Sequence, residues 1–138
     1  MATSALNKFN SFTEAVAEKV HNLGADALTV ALTNTAPVAT NTVLANITQV
    51  AYTNLNTRLL TVSGSVQTSG VYKLTITDKT LTSTAGSTGP FRYVVLYNDT
   101  ATNDELIGWY DYGSSITLGD GESLVLNFDD ANGVLTIT

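Results

Sequence analysis

Near the start of the chain, Leu6, Phe9, Phe12, Val16, Val20 and Leu23 recur at every third or fourth position. That spacing gathers them on one face of a helix. Ser11-Phe12-Thr13-Glu14 fits a capping box, with Ser11 as N-cap and Glu14 reaching back to its amide. Gly24 supplies a left-handed stop. The pattern predicts a helix over about 12–23, with residues 1–10 forming either an extra turn of it or an arm. After Gly24 the period drops to two. Leu28, Val30 and Leu32 alternate with Thr29, Ala31 and Thr33, the pattern of a half-buried strand. Asn34-Thr35-Ala36-Pro37 closes it with turn residues. Residues 38–57 have no clean period; Val43, Leu44, Ile47 and Val50 could make a short helix in what is otherwise loop.

From there strands follow one another. Leu59–Val66 is weakly patterned. Val71–Thr77 puts Tyr72, Leu74 and Ile76 on one face and Lys73, Thr75 and Thr77 on the other. Thr80–Thr84 is short, and Phe91–Tyr97 is apolar enough for a central strand buried on both faces. Leu106–Tyr112, Ser115–Leu118, Ser123–Phe128 and Val134–Thr138 complete the set, the last pinning the chain's end in a sheet. Ser69-Gly70, Gly86-Ser87-Thr88-Gly89-Pro90, Asn98-Asp99 and Gly119-Asp120-Gly121 separate them. Asn132-Gly133 reads as a type I′ hairpin turn, because both residues tolerate positive φ. One helix followed by short strands at regular spacing predicts a mainly β domain: a β-sandwich or jelly roll with the helix packed on it. Length agrees with one domain, residues 11–138 plus the N-terminal arm or helix start, since 138 residues bury a core without staples.

Composition narrows the chemistry. There is no cysteine and a single histidine, His21, which excludes disulfides, thiolate nucleophiles and multi-histidine metal sites within one chain. The net charge of −6 and the scatter of Lys8, Lys19, Arg58, Lys73, Lys79 and Arg92 argue against nucleic acid as a partner. No run is apolar enough for a membrane span, and no signal-peptide pattern opens the chain, so synthesis and use inside a cell or a particle assembled there is expected. Charged residues make up only 13% against about 25% in ordinary domains, and none occurs from Ala27 to Thr57. Such a stretch loses little solvation on burial and suits a protein interface, although a solvated Thr/Asn-rich loop has the same composition.

Poised catalytic groups are not evident. His21 falls in the last turn of the predicted helix, where a capping role is expected. No nucleophile elbow or phosphate-binding glycine loop occurs. Asp129-Asp130-Ala131-Asn132-Gly133 lacks the alternating ligands and distal glutamate of a calcium loop and reads as an acidic turn. Trp109-Tyr110-Asp111-Tyr112 concentrates aromatics; alternation puts Trp109 and Asp111 on one face and Tyr110 and Tyr112 on the other. One set is expected in the core and the other beside an interface, a sugar platform being the alternative.

Two stretches resemble a known family. One runs Asn7-Lys8-Phe9-Asn10-Ser11-Phe12, Ala17-Glu18-Lys19-Val20-His21 and Val30-Ala31-Leu32-Thr33-Asn34-Thr35-Ala36-Pro37. The other runs Gly89-Pro90-Phe91-Arg92-Tyr93-Val94-Val95-Leu96-Tyr97-Asn98, Gly108-Trp109-Tyr110-Asp111-Tyr112-Gly113 and Asp120-Gly121-Glu122. The chain is similar there to small structural proteins encoded among the head genes of tailed bacteriophages and prophages. Between Thr40 and Ser69 it departs, being shorter and less glycine-rich. The resemblance implies a virion protein made in the bacterial cytoplasm, and a role as capsid decoration (cement) protein bound to the major capsid protein or another virion protein. It carries over no catalytic or cofactor-binding residues.

The expectation is therefore a non-enzymatic decoration protein without cofactor, metal, nucleic-acid or membrane partner. It would assemble as a homo-oligomer, a trimer by preference, because local three-fold positions of a shell favour three-fold partners. The alternatives are a fibre, neck or tail component and a carbohydrate-binding β-sandwich module. Leu6, Phe9, Thr35, Val38, Val43, Ile47 and Tyr52 are the candidate partner contacts, with the acidic C-terminal turns left to solvent.

Overall fold

Two strands buried on both faces over most of their length organise the structure, a computed structural model that describes residues 4–138; the first three residues of the expected arm lie outside the described residues. Strand β2 (Leu28–Thr33) is buried at all six positions, and β6 (Thr88–Asn98) is buried from Val94 to its end. They pair antiparallel, Val30 opposite Leu96 and Ala31 opposite Val95. Strand β7 (Leu106–Leu118) lies on the other side of β6, and the two-residue β1 (Asn7–Lys8) pairs with β7 at Trp109 and Gly108. The sheet order is β1-β7-β6-β2.

The opposing layer consists of two small sheets. One is β3 (Val62–Thr68), β4 (Val71–Ile76) and β9 (Leu135–Ile137), in the order β3-β4-β9; the other pairs β5 (Lys79–Thr82) with β8 (Ser123–Leu126). Leu28, Val30, Leu32, Phe91, Leu96 and Ile107 of the large sheet meet Leu74, Ile76, Leu81 and Leu124 of the small ones in one core. The described residues thus form the mainly β sandwich with a single α-helix, and β9 holds the last residues against β4.

The expected half-buried character of β2 needs correction. Its second face, with Ala31, is covered by a separate cluster of Phe9, Ile47, Val95, Tyr97 and Leu106. Thr29 and Thr33 are buried there too. The alternation came from small residues needed under a covering segment, not from an open face.

The helix is also shorter than predicted. The α-helix α1 spans Ser11–Ala17, without a side-chain cap at Asn10. Lys19, at φ +66°, ends it, and the Val20 amide donates to Ala15 O at 2.8 Å, a Schellman-type closure. Leu23 reaches the main core from the turn beyond, so its helical spacing was coincidental. Asn132-Gly133 makes no hairpin, because β8 and β9 belong to different sheets. Gly133, at φ +81°, is required for close approach: a Cβ would stand 2.5 Å from Lys73 Cγ and 2.8 Å from Leu74 O. The hairpin with two successive positive-φ residues is instead Ser69-Gly70, between β3 and β4.

Other elements differ in extent, three of them substantially. Leu106–Tyr112 and Ser115–Leu118 merge into β7, with Gly113 at φ +98° where the register with β6 is interrupted. Leu59 and Leu60 belong to a segment along β2, the Leu60 amide donating to Leu28 O at 2.8 Å, so β3 begins only at Val62. The short helix expected among residues 38–57 appears as a 3-10 turn at Leu44–Asn46.

The N-terminal segment is neither a further helical turn nor a detached arm. The Phe9 amide donates to Ile107 O at 3.2 Å, and its ring is fully buried 4.6 Å from Trp109. A Cβ at Gly108 would stand 2.7 Å from both Leu6 Cδ1 and Asn7 O, so glycine there lets the segment lie flat on β7. Phe9→Ala is expected to cost about 3–5 kcal/mol, the range for emptying a buried aromatic site. Urea denaturation followed by tryptophan fluorescence measures this; a loss under about 1 kcal/mol would mean that the segment is only loosely attached.

Candidate interaction surface

The uncharged stretch crosses the outer face of the large sheet and is fastened there by backbone and side-chain bonds. The Asn10 amide donates to Ala39 O at 2.9 Å, the Leu106 amide to Thr42 O at 3.0 Å, and the Leu44 amide to Asp104 O at 3.0 Å. Asn46 Oδ1 accepts from the Thr42 and Val43 amides at 3.0 and 3.2 Å, fixing the turn from within. The Val50 amide then reaches Leu32 O at 3.0 Å. Each bond satisfies a polar group that would otherwise be costly to cover.

The seven candidate contacts separate accordingly. Phe9 and Ile47 are core residues of the outer cluster, and Leu6 packs against the main core. Tyr52 is a clasp: its hydroxyl accepts from the Leu32 amide at 2.9 Å and donates to Gln49 Oε1 at 2.8 Å. The Arg58 guanidinium lies 3.8 Å from its ring centroid, and burial pushes the phenol pKa up. Val43 is half-buried and forms a bridge with Glu105. Only Thr35 and Val38 are exposed, Val38 at 55%. The stretch therefore has an apolar underside and an uncharged outer side, where Thr40, Ala45 and Thr48 also lie exposed.

Of the aromatic strand, Trp109 turns to the outer cluster with Phe9, while Tyr110 and Tyr112 pack against the main core. Asp111 is held by Arg92 in a two-point pair at 2.8 and 3.0 Å, which keeps its carboxyl below the usual carboxylate range. The acidic turn is self-contained. Asp129 Oδ1 accepts from the Ala131 and Asn132 amides at 2.9 Å, and Oδ2 from the Asn132 side chain at 2.8 Å. Among the described residues no group of three or more His, Asp or Glu side chains is placed to hold a metal. No helix among them is long and apolar enough to cross a membrane.

A cleft of about 580 Å³ lies where β7 and β8 face one another without pairing. Tyr110, Tyr112, Asn127, Phe128 and Asp130 are among its lining residues. Strand alternation already placed Tyr110 and Tyr112 together, but no signal in the sequence put β8 across from them.

His21 is not a helix cap. It lies beyond α1, is 7% exposed, and stacks at 5.5 Å on Phe12. Asn98 Oδ1 accepts from the Thr100 and Ala101 amides at 3.0 and 3.2 Å, so the Asn98 amide nitrogen is the atom turned to His21 and Asp26. That nitrogen donates to His21 Nδ1 at 3.0 Å and to Asp26 Oδ2 at 2.6 Å. His21 Nδ1 must therefore be bare and the ring proton sits on Nε2. Burial lowers the His21 pKa, outweighing the nearby Glu105 and Asp26 carboxylates. Protonation would also set one N–H against another.

A pH dependence follows. As pH falls below the ordinary 6.5, the unfolded chain takes up a proton before the folded protein does. This contribution to stability is full above that value and is lost progressively below it, until His21 protonates within the fold. Denaturation midpoints should fall between about pH 7 and pH 5, and His21→Asn, which keeps an acceptor near the Nδ1 position, should flatten the dependence. An unchanged slope in that variant would assign the effect to other groups.

Comparison with protein-family models, curated proteins and solved structures finds no match for the chain.

Proposed function

We propose that the chain is a non-enzymatic structural protein of a bacteriophage particle, a decoration (cement) protein that binds the assembled head shell and braces it. The observation that supports this most is the outer side of the uncharged stretch. It is a neutral surface of Thr, Ala and Val, fixed to a rigid sheet by backbone bonds and open to a partner. Its own side chains can be buried against the major capsid protein without stranding a charge, with Asp104 at the edge of the surface beside Ala45. The two stretches similar to phage head-gene proteins, described above, supply the virion context.

The charge distribution agrees with an orientation. The acidic turns at Asp120-Gly121-Glu122 and Asp129-Asp130 are exposed and away from the neutral stretch in sequence. Facing outward, they would keep decorated particles from adhering to one another. A homo-oligomer, preferably a trimer at local three-fold positions, is the assembly this role favours.

Val38→Asp tests the surface. The side chain is exposed, so folding should be unchanged, while a charge buried against the shell should weaken head binding by more than about tenfold. Glu122→Lys on the acidic side should leave binding within about twofold. Equal binding by wild type and Val38→Asp would move the contact elsewhere. Densitometry of purified virions supplies the second check: a copy number comparable with that of the shell protein fits decoration. One comparable with a single vertex or tail would replace it with a fibre, neck or tail component.

A further inference from the structure

We infer that the cleft between β7 and β8 is a binding site for a neutral sugar ring. The inference does not depend on the shell-bracing role. β1 pairs with β7 only at Gly108 and Trp109, and β8 pairs only with β5, so the sandwich stays open where β7 and β8 face each other. The opening leaves about 580 Å³, within the range of sites that take small ligands.

The lining combines the two chemistries a pyranose needs. Apolar surface comes from the half-buried Tyr110 and Tyr112, backed by the buried Phe128, which meets Tyr110 edge to face at 6.1 Å. Sugar C–H faces pack on such surface. Hydrogen-bonding capacity comes from the Tyr110 and Tyr112 hydroxyls, the Asn127 amide and the Asp130 carboxylate. None of these side-chain groups has a hydrogen-bond partner among the described residues, although their neighbours Asp111 and Asp129 are fully engaged. Tyr110 is the clearest case: burial alone pushes its pKa up to about 12. Its hydroxyl, on a half-buried side chain at the cleft, has no protein partner among the described residues and is open to a ligand hydroxyl.

Charge decides between a sugar and a cation. Arg92 neutralises Asp111, and Lys73, donating to Ala131 O at 3.1 Å, stands beside Asp129. Of the three carboxylates at the cleft only Asp130 lacks a partner. Mixed donors and acceptors over aromatic surface match a polyhydroxyl ring better than an ammonium or guanidinium group.

The test is titration of the labelled protein with methyl glycosides and linear tetrasaccharides of glucose, galactose, mannose and N-acetylglucosamine, followed by amide chemical shifts. At least one sugar should give saturable shifts confined to residues 110–112 and 124–130. Asn127→Ala and Tyr112→Phe, which remove one polar group each, should weaken it about three- to tenfold without changing thermal stability. No saturable shift with any of these sugars at millimolar concentration would overturn the assignment. So would saturation that neither substitution affects, or saturation by tetramethylammonium in place of sugars. Head binding is read separately through Val38→Asp, so either proposal can fail while the other stands.

Discussion

Burial of the large sheet on both faces is the constraint on which the rest of the structure depends. Val30 and Leu32 look toward one core, Ala31 toward another, and Leu96 and Val95 do the same on β6. A sheet of this kind needs two covers. The small sheets provide one. The other comes from Phe9 and the segment holding Ile47, regions with little regular structure of their own. That requirement accounts for the absence of charge from Ala27 to Thr57: part of this stretch is sheet interior and part is the lid, where an unpaired charge would be costly. Neutrality thus serves the fold first, and the proposed adhesive surface is the reverse side of a structural necessity.

The few basic residues serve as internal clasps. Arg58 donates to Val30 O at 2.6 Å, Arg92 closes on Asp111, Lys73 reaches Ala131 O, and Lys8 donates to Thr13 Oγ1 at 3.0 Å. Each joins segments that lie apart in the chain or at the helix start. At their exposure these contacts are modest individually. Only Arg92 is paired with a carboxylate among the described residues, and the protein is acidic because 12 carboxylates outnumber 6 cations.

Strand positions were legible wherever the local pattern and the tertiary environment agree. Phe91–Tyr97 reads as a doubly buried strand and is one from Val94 on, Arg92 and Tyr93 being half-buried; Leu74 and Ile76 alternate inward as expected. The pattern misleads where a distant segment decides the environment. Thr29 and Thr33 look like solvent-facing positions until the lid is placed over them. Val20 and Leu23 keep helical spacing although the chain turns at Lys19. Asn132-Gly133 has hairpin chemistry, yet its flanking strands go to different sheets. The candidate contacts divided for the same reason: Phe9 and Ile47 are apolar because they cover β2 and β6, while Val38 is apolar and exposed. The cleft was the least legible, since it depends on two strand edges that come together only in the finished sandwich.

The pairing of β1 with β7 carries a consequence for how the protein is made. Asn7 lies opposite Trp109, and its side-chain amide donates to the Trp109 carbonyl across a separation of 102 residues. A ribosome delivers the N-terminal strand long before its partner exists. During that interval Phe9 has no β7 surface on which to be buried, and the segment over β2 lacks the bonds with Asp104 and Leu106 that fasten it. Closing so long a loop is slow compared with helix or hairpin formation. The last part of the large sheet to be secured is therefore built from residues synthesised long before their partner strand, and completion of its edge is a late event in the life of the nascent chain.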